Sequence, residues 1–207
     1  MSGPAPGEPS DVTLLRRHAD GDPDAFGLLF RRHSGRLWAV ALRITCDPDD
    51  AADALQDAMI SAFRRAGDFR GESAVTTWLH RIVVNASLDL LRRRSARSVS
   101  WSGDPDDLPL PEPGEGASAA DSRIDVDAAL RTLPPPQRAA LVLVDMLGYS
   151  VADTSAILGV SEGTVKSRCA RGRARLLPHL AHLRGDYPEG RNQTVPDSVP
   201  SEQGGGA

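Results

Sequence analysis

Apolar residues recur at three- and four-residue intervals over residues 11–94, and this spacing predicts amphipathic helices. The helices predicted from it span residues 12–20, 24–44, 49–66 and 75–94. Asp11 is predicted to N-cap the first helix. In the fourth helix the predicted core stripe consists of Leu79, Ile82, Val83, Ala86 and Leu90. The first part of the chain is therefore predicted to be a helical domain.

A second helical domain is predicted at residues 122–184. A short helix over 122–132 is followed by residues 137–145, which are apolar nearly all round, as in a buried core helix. A helix over 151–158 then ends at Gly159, and Ser161 is placed to N-cap a longer helix. A short helix, a tight turn and a longer helix are typical of a helix-turn-helix.

Residues 95–121 separate the two helical domains. Prolines, glycines and acids dominate this stretch, which leaves little to bury and predicts a flexible acidic linker. Fully extended, it reaches about 90 Å, at roughly 3.3 Å per residue. Residues 1–10 and 185–207 are predicted to be disordered ends. The chain is thus predicted to be all-α, with two small helical domains joined by a flexible acidic linker.

The longer helix of the helix-turn-helix is strongly basic. Residues 161–185 contain six Lys or Arg against one acid, in a chain whose net charge is −4. Val165, Cys169, Gly172 and Leu176 form one narrow apolar stripe, and polar and basic residues fill the rest of the surface. This arrangement suits the major groove of DNA, although a charged surface helix would share it. The candidate DNA-contacting residues are Thr164, Lys166, Ser167, Arg168, Arg171 and Arg175.

The predicted helix over 75–94 carries a polar arc beside its apolar stripe. The arc contains Trp78, Arg81, Asn85, Asp89 and Arg92. An aromatic ring next to Arg and Asn offers base stacking, phosphate contacts and base-edge hydrogen bonds together. The alternative is a core tryptophan beside a solvated polar face.

The predicted helix over 49–66 has an acidic side formed by Asp50, Asp53 and Asp57, with Gln56 at its edge. Like charges at this spacing destabilise a helix by a few tenths of a kcal/mol per pair. A docking face for a basic partner would explain them. A solvated acidic face would do so too, and spacing alone favours that second interpretation.

Several classes of function lack support in the sequence. No apolar run approaches the roughly 18 residues of a membrane span, and the N-terminus lacks a signal-peptide pattern, so we expect a cytoplasmic protein without membrane insertion. Cys46 and Cys169 form no Cys-x-x-Cys or Cys/His ligand grouping. The sequence contains neither a phosphate-binding loop nor a nucleophile elbow, so we expect no cofactor, no metal and no catalytic activity.

Several motifs occur in an order that resembles the extracytoplasmic-function (ECF) class of the sigma-70 family of RNA polymerase sigma factors. The motifs are Asp53–Asp57, Asp68–Gly71, Thr77–Leu79, Ile82–Asn85, Leu133–Arg138, Gly148–Ser150 and Gly163–Arg168. Each is weak alone, and their order and separations carry the resemblance. Within the class the chain is similar to SigM-like members of actinobacterial type.

The resemblance implies a non-catalytic subunit with three working surfaces. Core RNA polymerase would be bound by Asp50, Asp53, Gln56 and Asp57. The −10 promoter element would be bound and melted by Arg70, Trp78, Arg81, Asn85, Asp89 and Arg92, with a flipped base in a pocket formed partly by the 67–77 loop. The basic helix would read the −35 element. An anti-sigma factor is a further implied partner.

Two other classes of function share parts of this pattern. A stand-alone helix-turn-helix regulator would need a dimer interface or a receiver domain, and neither appears in the sequence. An enzyme using Asp50, Asp53 and Asp57 for metal or acid–base chemistry would need a ligand triad or a phosphate loop, which the motifs do not supply.

Overall fold

The computed structural model describes residues 8–98 and 122–180, and all regular structure in these ranges is helical. The helices are α1 (Asp11–Ala19), α2 (Ala25–Thr45), α3 (Pro48–Arg65), α4 (Val75–Ser98), α5 (Ser122–Arg131), α6 (Pro135–Leu141), α7 (Val151–Leu158) and α8 (Glu162–Leu176). The predicted all-α fold is confirmed. Nearly all of the predicted linker and of the predicted disordered ends lies outside the described residues.

Side-chain caps define where several helices begin. The hydroxyl of Ser10 accepts from the backbone N–H of Thr13 at 3.1 Å and caps α1. Asp11, predicted as that cap, instead lies inside the first turn. Its carboxylate accepts from Arg32 at 2.5 Å and from His33 at 2.8 Å, and these two bonds tie α1 to α2.

The core of the first domain is formed where α3 packs against α2 and α4. The most deeply buried row of α3 consists of alanines, namely Ala51, Ala54, Ala58 and Ala62. Helical spacing places Phe63 on the same side of α3 as Ala51 and Ala62, but its ring is 52% exposed. The alanine row explains the difference, because small side chains bring the helix backbones close and leave a larger ring at the edge of the contact.

Helix α4 is buried on two faces. Leu79, Ile82 and Val83 of the predicted stripe are buried. His80, Val84, Ser87 and Leu91 are also buried, and they follow a second row along the same helix. The second row arises because α4 packs against the first domain on one side and against α6 and α7 of the second domain on the other.

The second domain is assembled around close contact between α6 and α8. An added Cβ at Gly172 would lie only 2.7 Å from Cδ1 of Leu141, so glycine permits this approach. The helix predicted over 137–145 is α-helical to Leu141 and continues as a π-helical turn, Val142–Met146. Gly159 ends α7 with a left-handed φ of 65°, and Ser161 caps α8, as the sequence predicts.

Candidate nucleic-acid and partner interfaces

Helix α8 presents the predicted basic surface to solvent. Val165, Cys169 and Gly172 are buried against the rest of the domain, as their spacing predicts. On the other side of the helix the candidate DNA-contacting residues are exposed or half-buried. Lys166, Ser167, Arg171 and Arg175 are exposed, and Thr164 and Arg168 are half-buried.

Hydrogen bonds within α8 hold several of these side chains in place. The hydroxyls of Ser161 and Thr164 are 2.9 Å apart at the start of the helix. Ser167 donates to the carbonyl oxygen of Thr164 at 3.0 Å, and Arg171 donates to the backbone oxygen of Ser167 at 3.4 Å. These bonds hold side chains in the first half of α8 in place. Most of the predicted DNA-binding face is exposed to solvent.

The C-terminal half of α8 is tied to the domain behind it. Arg173 donates two bonds to Asp145, at 2.6 and 3.0 Å, and these bonds raise the pKa of its guanidinium. Arg175 donates to Oε1 of the buried Gln137 at 3.3 Å. Arg175 thus bonds to the interior of its domain, and DNA would compete with that bond.

A cleft between α3 and α4 collects most of the predicted −10 residues. Its volume is about 450 Å³. The walls are formed by Asp57, Ser61, Arg65, Trp78, Arg81, Ile82, Asn85, Ala86, Asp89 and Arg93. We call this the α3/α4 cleft. Aromatic, amide and guanidinium groups converge in it, as binding of an unstacked base and its phosphate requires.

Trp78 serves both the core and the cleft. Its ring is half-buried and meets Phe69 in a T-shaped contact with ring centroids 5.6 Å apart. Asn85 is half-buried farther along the same helix. Asp89 accepts from Arg92 at 2.5 Å, so this predicted pair is joined at the end of the polar arc.

Arg70 lies apart from the rest of the predicted −10 set. It lines a smaller cavity of about 100 Å³ between α1 and the loop that follows α3. Arg16, Ala19 and Phe69 share this cavity. The 67–77 loop thus contributes Arg70 to a separate cavity, and none of its residues lines the α3/α4 cleft. A flipped base in a pocket formed partly by that loop stays a prediction.

The four candidate polymerase-binding residues occupy three environments. Asp53 and Gln56 are exposed. Asp50 is only 7% exposed and forms an ion pair with Arg94. Burial raises the pKa of the Asp50 carboxyl, and the bond from Arg94 opposes that effect. Asp57 pairs with Arg93 at 3.3 Å and lines the α3/α4 cleft.

The sequence interpretation missed residues on both surfaces of α3. Ser61 and Arg65 follow Asp57 at four-residue steps and form the α3 wall of the cleft. That spacing was the signal that could have revealed them. Ile60 and Phe63, at 43% and 52% exposure, follow Gln56 at steps of four and seven residues and extend the exposed surface of α3 with apolar side chains.

No group of three or more potential metal ligands occurs in residues 8–98 and 122–180. Within the same described ranges, no helix is long and apolar enough to cross a bilayer.

Fold and surfaces together define a two-domain, all-helical DNA-binding protein with a helix-turn-helix in its second domain. Each domain also matches a family model. Residues 29–97 match sigma-70 region 2, and residues 123–176 match sigma-70, region 4.

Curated relatives identify the class within that family. The chain is 52% identical over 176 residues to the ECF RNA polymerase sigma factor SigM of Mycobacterium tuberculosis H37Rv, covering 85% of this chain and 87% of that one. It is 40% identical over 182 residues to the ECF sigma factor SigE of Mycolicibacterium smegmatis, covering 84% and 70%. The chain therefore belongs to the sigma-70 family, as an ECF RNA polymerase sigma factor. The resemblance found in its motifs is confirmed.

Solved structures agree with this assignment. The chain is 27% identical to RpoE of Bartonella quintana in complex with the anti-sigma factor NepR, with a TM-score of 0.59, covering 76% of this chain and 98% of that one. It is 29% identical to CnrH in complex with the cytosolic domain of CnrY, with a TM-score of 0.56, covering 86% and 99%.

Proposed function

We propose that this sigma factor acts in the cytoplasm as a non-catalytic initiation subunit. It binds core RNA polymerase, recognises −35 and −10 promoter elements and promotes DNA melting. The observation that carries the proposal is the presence of two different nucleic-acid surfaces in one chain of this family. The α8 face suits duplex DNA, and the α3/α4 cleft suits an unstacked strand.

In the second domain, the exposed start of α8 enters the major groove of the −35 element. Lys166, Ser167 and Arg171 face outward there. A bidentate bond from arginine to guanine discriminates against the wrong base by about 1–3 kcal/mol. Thr164, Arg168 and Arg175 complete the −35 surface, Arg175 at its edge because of its bond to Gln137.

In the first domain, the α3/α4 cleft holds the melted strand of the −10 element. Trp78 stacks on a base, Asn85 bonds a base edge, and Arg65 and Arg81 bind the backbone. Extruding a base costs a few kcal/mol. Stacking returns about 1–3 kcal/mol per base, so binding the separated strand offsets much of the cost of melting. Asp89 lines the same cleft and is bonded to Arg92, whereas Arg70 would act from the separate cavity beside α1.

The polymerase-docking surface is centred on the exposed acidic side of α3. Asp53 and Gln56 offer polar contacts, and the adjacent Ile60 and Phe63 supply apolar area that a partner helix can cover. Asp50, near the start of the same helix, is buried and links α3 to α4 through its ion pair with Arg94. Asp57 belongs to both proposed surfaces, because it lies on the acidic side of α3 and also lines the α3/α4 cleft.

An anti-sigma factor is the regulatory partner of this proposal. Two structural neighbours, RpoE and CnrH, were solved as complexes with NepR and with the cytosolic domain of CnrY. A protein of that kind would hold this chain away from polymerase until a signal releases it.

Two measurements test the proposed function together. Purified chain is mixed with core RNA polymerase, and the complex is assayed for transcription from a library of genomic promoter fragments. We expect co-elution with core and initiation from a subset of promoters. Specific DNA binding by the chain alone, with no binding to core, would instead support the stand-alone helix-turn-helix regulator.

The Arg171→Ala variant tests the assignment of the −35 surface. Selective use of promoters with different −35 sequences should fall while binding to core is retained. Arg131→Ala, at an exposed arginine of α5 outside the proposed DNA surface, is the matched control for the loss of one positive charge. Unchanged −35 selectivity in Arg171→Ala would refute the placement of α8 in the groove.

A further inference from the structure

Gln137 is a polar residue in the interior of the second domain. It lies in the first turn of α6 and is only 1% exposed. It faces α8, because a Cβ added at Gly172 would lie 3.8 Å from the Cβ of Gln137. Its Oε1 accepts from Nη1 of Arg175 at 3.3 Å. The amide thus reaches from the interior of the domain to an arginine of the proposed DNA surface.

The other half of this amide is costly to bury. Among the described residues, Nε2 of Gln137 has no hydrogen-bond partner. A buried donor without a partner opposes folding, because it loses its bonds to water and gains none. A methionine of similar length would fill the same space without a polar atom. Packing alone therefore favours an apolar residue at this position, and what the amide adds is the bond to Arg175.

Arg175 lies on a flank of α8. Val165 and Cys169 are buried, and at about 100° per residue Ser167 and Arg171 fall near the middle of the opposite side, with Arg175 towards its edge. Base edges form the floor of the major groove, and phosphates line its sides. A helix in the groove therefore presents its middle to bases and its flanks to phosphates. This geometry makes Arg175 a phosphate contact.

The two flanks of α8 are held in chemically different ways. On the other flank, Arg173 is paired with the carboxylate of Asp145 at 2.6 and 3.0 Å, so its charge is largely compensated. Gln137 is neutral, so its bond fixes the guanidinium of Arg175 without cancelling the charge. A guanidinium has five N–H groups, and this bond uses one on Nη1. A phosphate therefore competes with Gln137 at Nη1 alone, and Nε and Nη2 can donate to it.

We infer that Gln137 is a positioning residue for the −35 complex, whose buried amide holds Arg175 at the edge of α8 to bind a DNA phosphate. The inference rests on the proposed function. An exposed arginine is otherwise ordered only when DNA binds, and ordering one long side chain lowers affinity roughly two- to tenfold. Gln137 orders Arg175 when the domain folds, before DNA arrives.

Titration of a duplex −35 fragment, taken from a promoter that the holoenzyme transcribes, tests the inference. Holoenzyme is formed with wild-type chain, Gln137→Met, Arg175→Ala or the double variant. We expect Gln137→Met to weaken binding roughly two- to tenfold. The factor should be the same for different −35 sequences, because phosphate contacts carry no sequence information. The slope of log affinity against log salt should stay at the wild-type value, whereas Arg175→Ala should reduce it by about 0.9.

Two further measurements separate positioning from a structural role. In the Arg175→Ala background, Gln137→Met should weaken binding no further, since the residue through which it acts is gone. Gln137→Met should also unfold at the same or a higher urea concentration, because no unpaired amide remains buried. Thr154→Val on α7 removes another buried polar atom that lacks a partner among the described residues, and should leave DNA binding unchanged.

The possible failures are distinguishable. Wild-type affinity of Gln137→Met, or equal loss of binding with and without Arg175, would overturn the positioning role. Wild-type affinity of Arg175→Ala would overturn it as well, and the Arg171→Ala variant would still decide on the −35 surface. Failure of the chain to bind core would overturn the proposed function instead. Titration of the same four chains on duplex DNA without core would then still show whether Gln137 acts through Arg175.

Discussion

At the scale of single residues, Gly172 shows how closely the second domain is packed. A methyl group added there would press on Cδ1 and Cγ of Leu141, at 2.7 and 3.2 Å. Overpacking a core costs about 1–3 kcal/mol, which outweighs the gain of up to about 1 kcal/mol from replacing a helical glycine. We expect Gly172→Ala to lower the free energy of unfolding by about 1–2 kcal/mol, measured by urea denaturation.

Gly35 is the matched control for that substitution. It lies inside α2 at an exposed position, and an added Cβ would meet nothing within 4 Å. Gly35→Ala should therefore raise the free energy of unfolding by about 0.5–1 kcal/mol. Equal effects of the two substitutions would contradict the close approach of α6 and α8.

At the scale of helices, comparing Arg65 with its neighbour Arg64 distinguishes a phosphate contact in the α3/α4 cleft from the general effect of positive charge on α3. Both arginines are exposed, but only Arg65 lines the α3/α4 cleft. If Arg65 binds a phosphate of the melted strand, Arg65→Ala should reduce the slope of log affinity against log salt by about 0.7. Titration of holoenzyme with single-stranded −10 DNA at several salt concentrations measures that slope. Arg64→Ala should leave it unaltered, and a loss of slope in both variants would indicate general electrostatics.

Helical periodicity predicted the helices well but predicted only one of the two buried faces of α4. The stripe through Leu79 and Val83 is evident because it is apolar. The second face contains His80 and Ser87, polar residues that a search for apolar stripes passes over. His80 is bonded to Tyr149 of the second domain, and the pattern of a single helix cannot show a partner that lies far away in the sequence.

The candidate sites differ in the same way: one depends on residues that are close in the sequence, and the other on residues that are far apart. The α8 face depends on residues within one helix, and its positions follow directly from the spacing of Val165 and Cys169. The acidic set of α3 was less predictable, because Asp50 and Asp57 are paired with Arg94 and Arg93 at the far end of α4. Those ion pairs join residues that the sequence separates by tens of positions, so spacing alone could not assign them.

At the scale of the whole molecule, segregation of charge reconciles a net charge of −4 with DNA binding. Exposed charges are screened over roughly 8 Å at physiological salt, so a basic surface acts independently of acids elsewhere on the chain. Lys166 and Arg171 of α8 and Arg81 of the α3/α4 cleft are all exposed, so each surface presents its own charge to solvent.

The protonation of His80 couples the packing of α4 against the second domain to pH. Burial is the main reason that the pKa of His80 falls to about 4 from its usual 6.5, and the positive fields of His33 and Arg36 add to it. Tyr149 faces the ring from the second domain. A lowered pKa means that the folded state favours neutral imidazole. The resulting stabilisation is complete above about pH 6.5 and is lost as pH falls towards 4.

We therefore expect the unfolding free energy of the wild-type chain to fall more steeply between pH 6.5 and 4 than that of His80→Gln. The lowering of the His80 pKa from 6.5 to about 4 corresponds to a change in unfolding free energy on the order of 3 kcal/mol over that pH interval, since one pKa unit is about 1.4 kcal/mol. Urea denaturation at pH 7 and pH 4.5 gives the comparison. His179→Gln, at an exposed histidine, should follow the wild-type profile. Parallel profiles for wild type and His80→Gln would show that His80 remains hydrated, and α4 could then not be packed against Tyr149 of the second domain.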